Sequence, residues 1–553
     1  MQRGHGIATR LLTRVADLEN VDRVIASGGT DADLAHTTMI NTFLGPGRFG
    51  KMFPGLEAFR PPVEALIDLG EKMVETSPGD PALNNSDVPA GFTYLGQFID
   101  HDITFDRTPD LPDTVDPDQM KQERTPTLDL DSLYGRGPKM QPDLYDQSVP
   151  RSHALFKIGL TSEIPSPGGS GRGIPDIPVS LPHDLPRQPD KIAIIGDERN
   201  DENTIVAQTH VAFLRFHNAV MRSLPKGQGH NEDNGSLMFT QAEEDDDRKQ
   251  SPFHKVRRIV RWHYQWLVLN DFLPRLVDPD VLNDVRTNGR RFYDFKPNPF
   301  NGEPFMPIEF SVAAYRLGHS MVRERYNFNR VFASSAVEPT AITPARLGLL
   351  FAFTGKGGFP APGGHTSLPS NWIIDWRRFF DLGRPDLLNV TRDTDTKLVP
   401  QLHNLPGPVP AGQPPSLASL AVKNLLRGRR VGLPTGQAVA EAMELTPLTP
   451  GELAGGEDGE TLQQHGFDET TPLWYYVLKE AEVQGGGKRL GELGSRIVAE
   501  VFVGLLEGDP YSFLSKEPDW TPILRSATPG TFTMADLLMF VGDTNPVGPG
   551  AGG

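Results

Sequence analysis

Between Asn203 and Ser223 the apolar residues Ile205, Val206, Val211, Phe213, Leu214 and Val220 recur at helical spacing and predict an amphipathic helix. The same pattern predicts helices at about 91–104, 254–275, 308–323, 415–427, 434–444, 470–483 and 489–507. Alternating runs that would mark strands are few and short, and no repeat or heptad register runs through the chain. Polar stretches rich in proline and glycine separate the helical segments at 105–128 and 164–186, and an acidic patch, EEDDDRKQS, at 243–251 reads as an exposed insertion. The predicted fold class is mainly α-helical, with long loops and few short strands. No break in composition divides residues 85–545, which are read as one large domain. Residues 1–84 form a lead-in expected to pack on it, and 546–553 a flexible tail.

Composition narrows the chemistry. The 553 residues contain no cysteine, which excludes disulfides, thiolate metal sites, iron–sulfur clusters and cysteine nucleophiles. Any haem must therefore be held by another ligand, histidine first among them. Acidic residues outnumber basic ones by 71 to 54, giving a net charge of −17, which opposes nucleic-acid binding and suits metal cations. No run approaches the length of a membrane span, and the first residues lack the apolar core of a secretory leader. A cytoplasmic protein and one secreted by another route are both left open, as is the oligomeric state.

Within Gly96-Gln97-Phe98-Ile99-Asp100-His101-Asp102, residues four apart share a helix face, so Gln97 and His101 are expected to point into one pocket with Asp100 and Asp102 diverging to its sides. In Gly196–Asn203, just before the 203–223 helix, Arg199 and Glu202 lie three apart and can reach one ligand. Asp201 and Glu202 also suit a helix N-terminus for dipole reasons. His319 sits on a small and apolar stretch, with Arg316 a turn earlier and Gly318 leaving room for something bulky and flat. Near Asn424, three arginines precede a Gly-Leu-Pro turn and form either a solvated face or a site for anionic groups. The oxygen-bearing residues Thr125, Thr127, Asp129 and Asp131 fit either a hard cation such as calcium or an ordinary Asx-rich turn. His210 and His217, inside the 203–223 helix, are expected to be structural; His263 and His365 receive no role.

Read together, GQFIDHD, LDLDSLYG, GDERNDEN with THVAFLRFHN, YRLGH, NLLRGRRVGLP and TPLWYYVLKEAE with RIVAEVFVGLL follow one another in an order that resembles the animal haem peroxidase family, also called the peroxidase–cyclooxygenase superfamily. The compact cysteine-free chain is similar to bacterial members. The resemblance implies a haem peroxidase-like fold over 85–545 that binds haem b and calcium. It implies oxidation of halides, thiocyanate or small aromatic donors by hydrogen peroxide through a high-valent iron intermediate. His101, Gln97 and Arg199 would be the distal catalytic residues, and His319 the proximal iron ligand backed by Asn424. Asp100 and Glu202 would form ester links to haem, with Arg316 near the haem edge. Asp102, Thr125, Thr127, Asp129 and Asp131 would hold calcium. Two departures matter. Asn203 stands where myeloperoxidase-like members carry a sulfonium-forming methionine, which implies donors easier to oxidise than chloride. Arg316 stands where lipid-oxygenating members carry a radical-forming tyrosine, with Tyr315 one position off. Alternatives are a fatty-acid dioxygenase and a calcium-stabilised structural or adhesive module with a vestigial haem site.

Overall fold

The computed structural model describes residues 47–75, 85–106, 114–162, 177–178, 180–190, 192–224, 251–295, 304–355, 367–405 and 415–548. Most of the lead-in, the acidic patch before Ser251 and His365 lie outside them. The longer helices are α1 (Val63–Lys72), α2 (Gly91–Ile103), α3 (Thr204–Ser223), α4 (Pro252–Leu267), α5 (Pro279–Asn288), α6 (Leu420–Val431), α7 (Leu473–Gly485), α8 (Glu492–Gly508) and α9 (Met534–Val541). The described strands are short and form two-stranded pairs: Phe49–Gly50 runs parallel to Met306–Pro307, while Asn85–Pro89 with Val390–Arg392 and Arg325–Tyr326 with Ala345–Arg346 are antiparallel. The expected helical class with few strands is what the chain adopts.

Helix α8 runs through the middle of the core. Leu493, Ile497, Val498, Val501, Phe502 and Leu505 have no exposed surface, so the helix is covered on every side and packs against α5 and α7. Its one deeply buried carboxylate, Glu500, accepts the backbone N–H groups of Arg291, Phe292 and Tyr293 at 2.7–2.9 Å, which meets the cost of burial with hydrogen bonds. Helix α3 packs between α2, α4 and α9. It starts cleanly because the Asn203 side chain accepts from the N–H groups of Ile205 and Val206, a cap worth about 0.5–2 kcal/mol.

The stretch expected as one helix over 308–323 is broken. Glu309–Ala313 is a π turn, Ala314–His319 is a 3-10 turn, and Ala313 between them has φ −125° and ψ −84°. At the break a carbonyl of the ladder is taken up by a side chain. Arg316 Nε donates to Ser311 O at 3.0 Å, the acceptor that a continuous α-helix would give to the Tyr315 N–H. Helix α4 likewise runs into a π turn at Val268–Phe272, where Pro274 supplies no N–H to the ladder. The helix expected over 415–427 is instead a 3-10 turn at Pro415–Ala418 followed by α6, which Ser419 caps and Gly432, at φ 71°, ends.

Candidate active site

A cavity of about 310 Å³ lies between α2, the start of α3 and the 3-10 turn that ends at His319. Gln97, Asp100 and His101 line it from α2, Glu202 and Asn203 from the α3 start, and Tyr315, Arg316 and His319 from the turn. The helical spacing of Gln97 and His101 therefore delivers both to one pocket. Asp100 turns toward the cavity and Asp102 away from it, as the alternation around His101 predicts.

His101 is 5% exposed and places Nδ1 2.9 Å from Asn200 Oδ1. An amide oxygen only accepts, so Nδ1 carries the ring proton and Nε2, left for the cavity, holds a lone pair. Burial and then the Arg199 charge hold the imidazole neutral, with its pKa lowered to about 3. Gln97 is clamped at both ends: its Nε2 donates to Glu202 Oε2 at 2.7 Å, and its Oε1 accepts from Asn203 Nδ2 at 3.0 Å. A methionine at 203 could neither cap α3 nor hold this amide. Burial pushes the Asp100 carboxyl up, against the pull of Arg199 and Arg316.

Arg199 is not brought into the cavity wall. Its guanidinium donates to the carbonyls of His101 and Thr104 at 2.9 and 2.7 Å, lies 2.8 Å from Asp197 Oδ2 and stacks on Phe105 with 4.1 Å to the ring centroid. Asp197, fully buried, also takes the guanidinium of Arg124. Burial alone would raise the Asp197 carboxyl, but Arg124 and Arg199 hold it well below the usual range. Sequence reasoning missed this hub, although Asp197 stands two residues from Arg199 and Arg124 adjoins Thr125.

His319 is partly buried, and Nδ1 lies 2.8 Å from Asn424 Nδ2. Arg316 Nη1 in turn donates to Asn424 Oδ1 at 2.5 Å. Burial first and then the Arg316 charge keep His319 neutral, lowering its pKa to about 3. A Cβ added at Gly318 would meet no atom within 4 Å, so the backbone beside His319 faces open space. Tyr315 reaches across to α2, where its hydroxyl donates to Gly96 O at 3.1 Å.

On the other face of α2, carboxylate oxygens of Asp102, Asp129 and Asp131 lie within 4.8 Å of one another. Asp102 accepts from the Leu130 N–H at 3.1 Å and the Ser132 hydroxyl at 3.0 Å. Leu130 itself has φ 58°, a left-handed conformation costly for leucine, which curls Asp129 and Asp131 around Asp102. Thr125 Oγ1 donates to Asp129 Oδ2 at 3.3 Å and accepts from Thr127 Oγ1 at 3.2 Å. Burial, then Asp129 and Asp131, push Asp102 well above the ordinary range. Asp131 is part-exposed and lies 3.1 Å from Arg124 Nη1; the three carboxylates, with hydroxyl oxygens beside them, are of the kind that could hold a hard cation.

The remaining histidines divide. His217 uses both ring nitrogens, on Tyr134 Oη and Ala154 O at 3.0 Å each, and His263 accepts the N–H groups of Ile523 and Leu524 at 3.2 Å. These are structural contacts. His210 is different, because its Nδ1 lies 3.0 Å from Asn200 Nδ2, on the far side of the amide that faces His101.

The animal haem peroxidase family model matches residues 97–538. Among curated proteins, a peroxidase-like protein of Margaritifera margaritifera is 27% identical over 276 residues, covering 42% of this chain and 31% of that protein. A peroxidasin homologue of Caenorhabditis elegans is 22% identical over 407 residues, 71% of this chain and 26% of the relative. Human thyroid peroxidase is 23% identical over 221 residues, 38% of this chain and 20% of the relative. The chain thus spans about a third or less of the length of these relatives. Among solved structures, peroxidase A of Dictyostelium discoideum has a TM-score of 0.52 at 15% identity, covering 92% of this chain and 93% of that one. A fatty acid alpha-dioxygenase of Arabidopsis thaliana has a TM-score of 0.52 at 13% identity, covering 84% and 73%. These two likenesses are of fold. No described helix is long and apolar enough to cross a membrane.

Proposed function

The chain belongs to the animal haem peroxidase family, and from that premise we propose that it is a haem-dependent peroxidase that reduces hydrogen peroxide and oxidises halides, thiocyanate or small aromatic donors. The observation that carries the reading is one cavity shared by two neutral imidazoles from separate elements, His101 and His319. The residues present fit a haem b: a neutral imidazole is the ligating form, and the open space beside Gly318 leaves room for a flat ring. His319 would hold the iron through Nε2, and Arg316, Asp100 and Glu202 would meet the porphyrin periphery. When bound, haem supplies the redox chemistry that no side chain offers.

The chain's own residues would manage the protons. His101 Nε2 takes the proton from the near oxygen of the peroxide and returns it to the departing one. Arg199 acts here as a positioning residue: it fixes the end of α2 through two carbonyls, and its charge adds to burial, the larger cause, in keeping His101 unprotonated. Gln97 keeps one N–H beyond the bond to Glu202, enough to orient a water or a halide. On the proximal side the amide has to turn. Ligation through Nε2 requires the His319 proton on Nδ1, so Asn424 must present Oδ1 to it and give up the bond from Arg316, freeing Nη1 of that guanidinium for an anionic group while Nε stays on Ser311 O.

The test is an absorption spectrum of haem-loaded protein before and after stoichiometric peroxide, followed by a panel of iodide, bromide, thiocyanate and phenol. Bleaching or recovery of the Soret band with donor turnover is expected; no spectral response to peroxide would overturn the reading. Tyr315 lines the same cavity but stands one position off the lipid-oxygenating pattern, which argues against the rival reading of a fatty-acid dioxygenase; oxygen uptake with linoleate and no peroxide is the discriminating result. For the ester links, acid–organic extraction after peroxide treatment is expected to leave haem on the protein; complete release would show Asp100 and Glu202 unlinked.

We also read the Asp102–Asp129–Asp131 pocket, with Thr125 and Thr127, as a calcium site. An ion present at about a hundred times its Kd stabilises a fold by about 2.7 kcal/mol. Treatment with EGTA is therefore expected to lower the thermal midpoint and slow the peroxide reaction together, both restored by calcium and not by magnesium. A midpoint moved neither by EGTA nor by added calcium, in protein to which calorimetry finds no calcium binding, would sink the assignment.

A further inference from the structure

We propose that His210 is a positioning residue that acts through Asn200 to fix which ring nitrogen of His101 carries the proton. The inference rests on the peroxidase reading, in which His101 is the base. Three groups form a line: His101 Nδ1 stands 2.9 Å from Asn200 Oδ1, and Asn200 Nδ2 stands 3.0 Å from His210 Nδ1. All three residues are buried, with Asn200 and His210 at 0% exposure.

An amide has an accepting end and a donating end, so the line has a direction. With Oδ1 toward His101, that ring must donate from Nδ1 and leaves a lone pair on Nε2 at the cavity. With Nδ2 toward His210, that ring must accept at Nδ1 and carry its own proton on Nε2. Were the amide turned over, His101 would present an N–H to the cavity and could accept nothing there. The acceptor on His210 is thus what holds Asn200, and through it His101, in the proton-accepting form. The arrangement leaves a mark: His210 Nε2 is buried and has no hydrogen-bond partner among the described residues. It is one of fourteen buried side-chain polar atoms without a partner among the described residues, so the directed His101–Asn200–His210 line, not the orphan itself, carries the inference. The sequence expectation that His210 is merely structural does not account for it, whereas His217, seven residues on, has both nitrogens paired.

Hydrogen cyanide is a suitable probe, because its proton must leave before the anion binds iron, and the same base takes it. Stopped-flow rates of cyanide binding and of the peroxide reaction are to be measured on haem-loaded wild type, His210→Leu, His210→Gln and Asn200→Leu, with KM for the donor alongside. His210→Leu and Asn200→Leu are expected to slow both rates by about tenfold or more, within the range that general-base catalysis supplies, with haem content and donor KM unchanged. His210→Gln, whose Oε1 can accept from Asn200, is expected to recover most of the loss. Unchanged rates in His210→Leu, or equal slowing in His210→Leu and His210→Gln, would overturn the proposal. If His210→Leu does not fold, Asn200→Leu against His210→Gln decides it: slow in the first and near normal in the second supports it, and any other pattern overturns it. Wild type that binds cyanide quickly yet leaves peroxide untouched refutes the peroxidase reading alone, since the cyanide rates still judge His210.

Discussion

His319→Ala is expected to yield a folded protein that retains no haem. In the proposed site this imidazole is the iron ligand, so its loss removes the bond that anchors the group. The fold should survive, because His319 is only partly buried and its described hydrogen bond is to Asn424. Leaving Asn424 Nδ2 unpaired, while Oδ1 keeps Arg316, costs about 1–3 kcal/mol, within the 5–15 kcal/mol typical of a domain. The measurement is the ratio of Soret to protein absorbance after gel filtration, with circular dichroism to establish folding. A normal ratio in the variant would refute the assignment of His319, and an unfolded variant would show that the residue holds up the core instead.

His101→Leu is expected to keep haem and lose the reaction with peroxide. Removing a positioned acid–base group costs roughly 10²–10⁴ in rate, equivalent to about 3–5 kcal/mol of barrier. The dependence on pH follows from the direction of the shift. A histidine ordinarily titrates at about 6.5. Here burial and then Arg199 bring His101 down to about 3, so its free-base form persists as the solution is acidified. The wild-type rate with peroxide is expected to be flat from about pH 8 to about pH 5 and to fall only nearer the shifted value. A limb centred at the ordinary histidine value, absent from His101→Leu, would mean that the side chain is solvated when it works. Equal rates in wild type and variant would remove His101 from the chemistry.

Helical periodicity located most of the long elements because their apolar stripes are local facts. Helix α3 begins within one residue of its expected start, since Asn203, just ahead of the stripe, is the side chain that caps it. The proximal segment was misjudged for the opposite reason. Its residues suit a helix, but at the break the long arginine at 316 takes up a carbonyl of the ladder, and that contact is settled in space. The spacing within GQFIDHD was enough to send Gln97 and His101 one way and Asp102 the other, because a thirteen-residue helix carries its own geometry. The company these residues keep was not legible. Asn200 sits in plain view within GDERNDEN, yet only the tertiary fold shows that its two ends meet imidazoles 99 and 10 residues away in sequence. Arg199 illustrates the limit of motif reasoning: the residue is where the family pattern expects it, while its guanidinium is committed to Asp197, two carbonyls and Phe105 rather than to the cavity wall.

The interruption at Ala313 has a consequence for how the protein matures. Upstream of it, Glu309 is riveted to the backbone of Met52 and Phe53 at 2.9 and 3.2 Å. Downstream, the turn bearing His319 is tied to no continuous cylinder. The side that greets a prosthetic group can therefore readjust its amide and guanidinium while the riveted half stays still. On the proposed reading, the shell is expected to assemble first and the pigment to enter it as a finishing step, with Arg316 Nε on Ser311 O as the tether between the two halves.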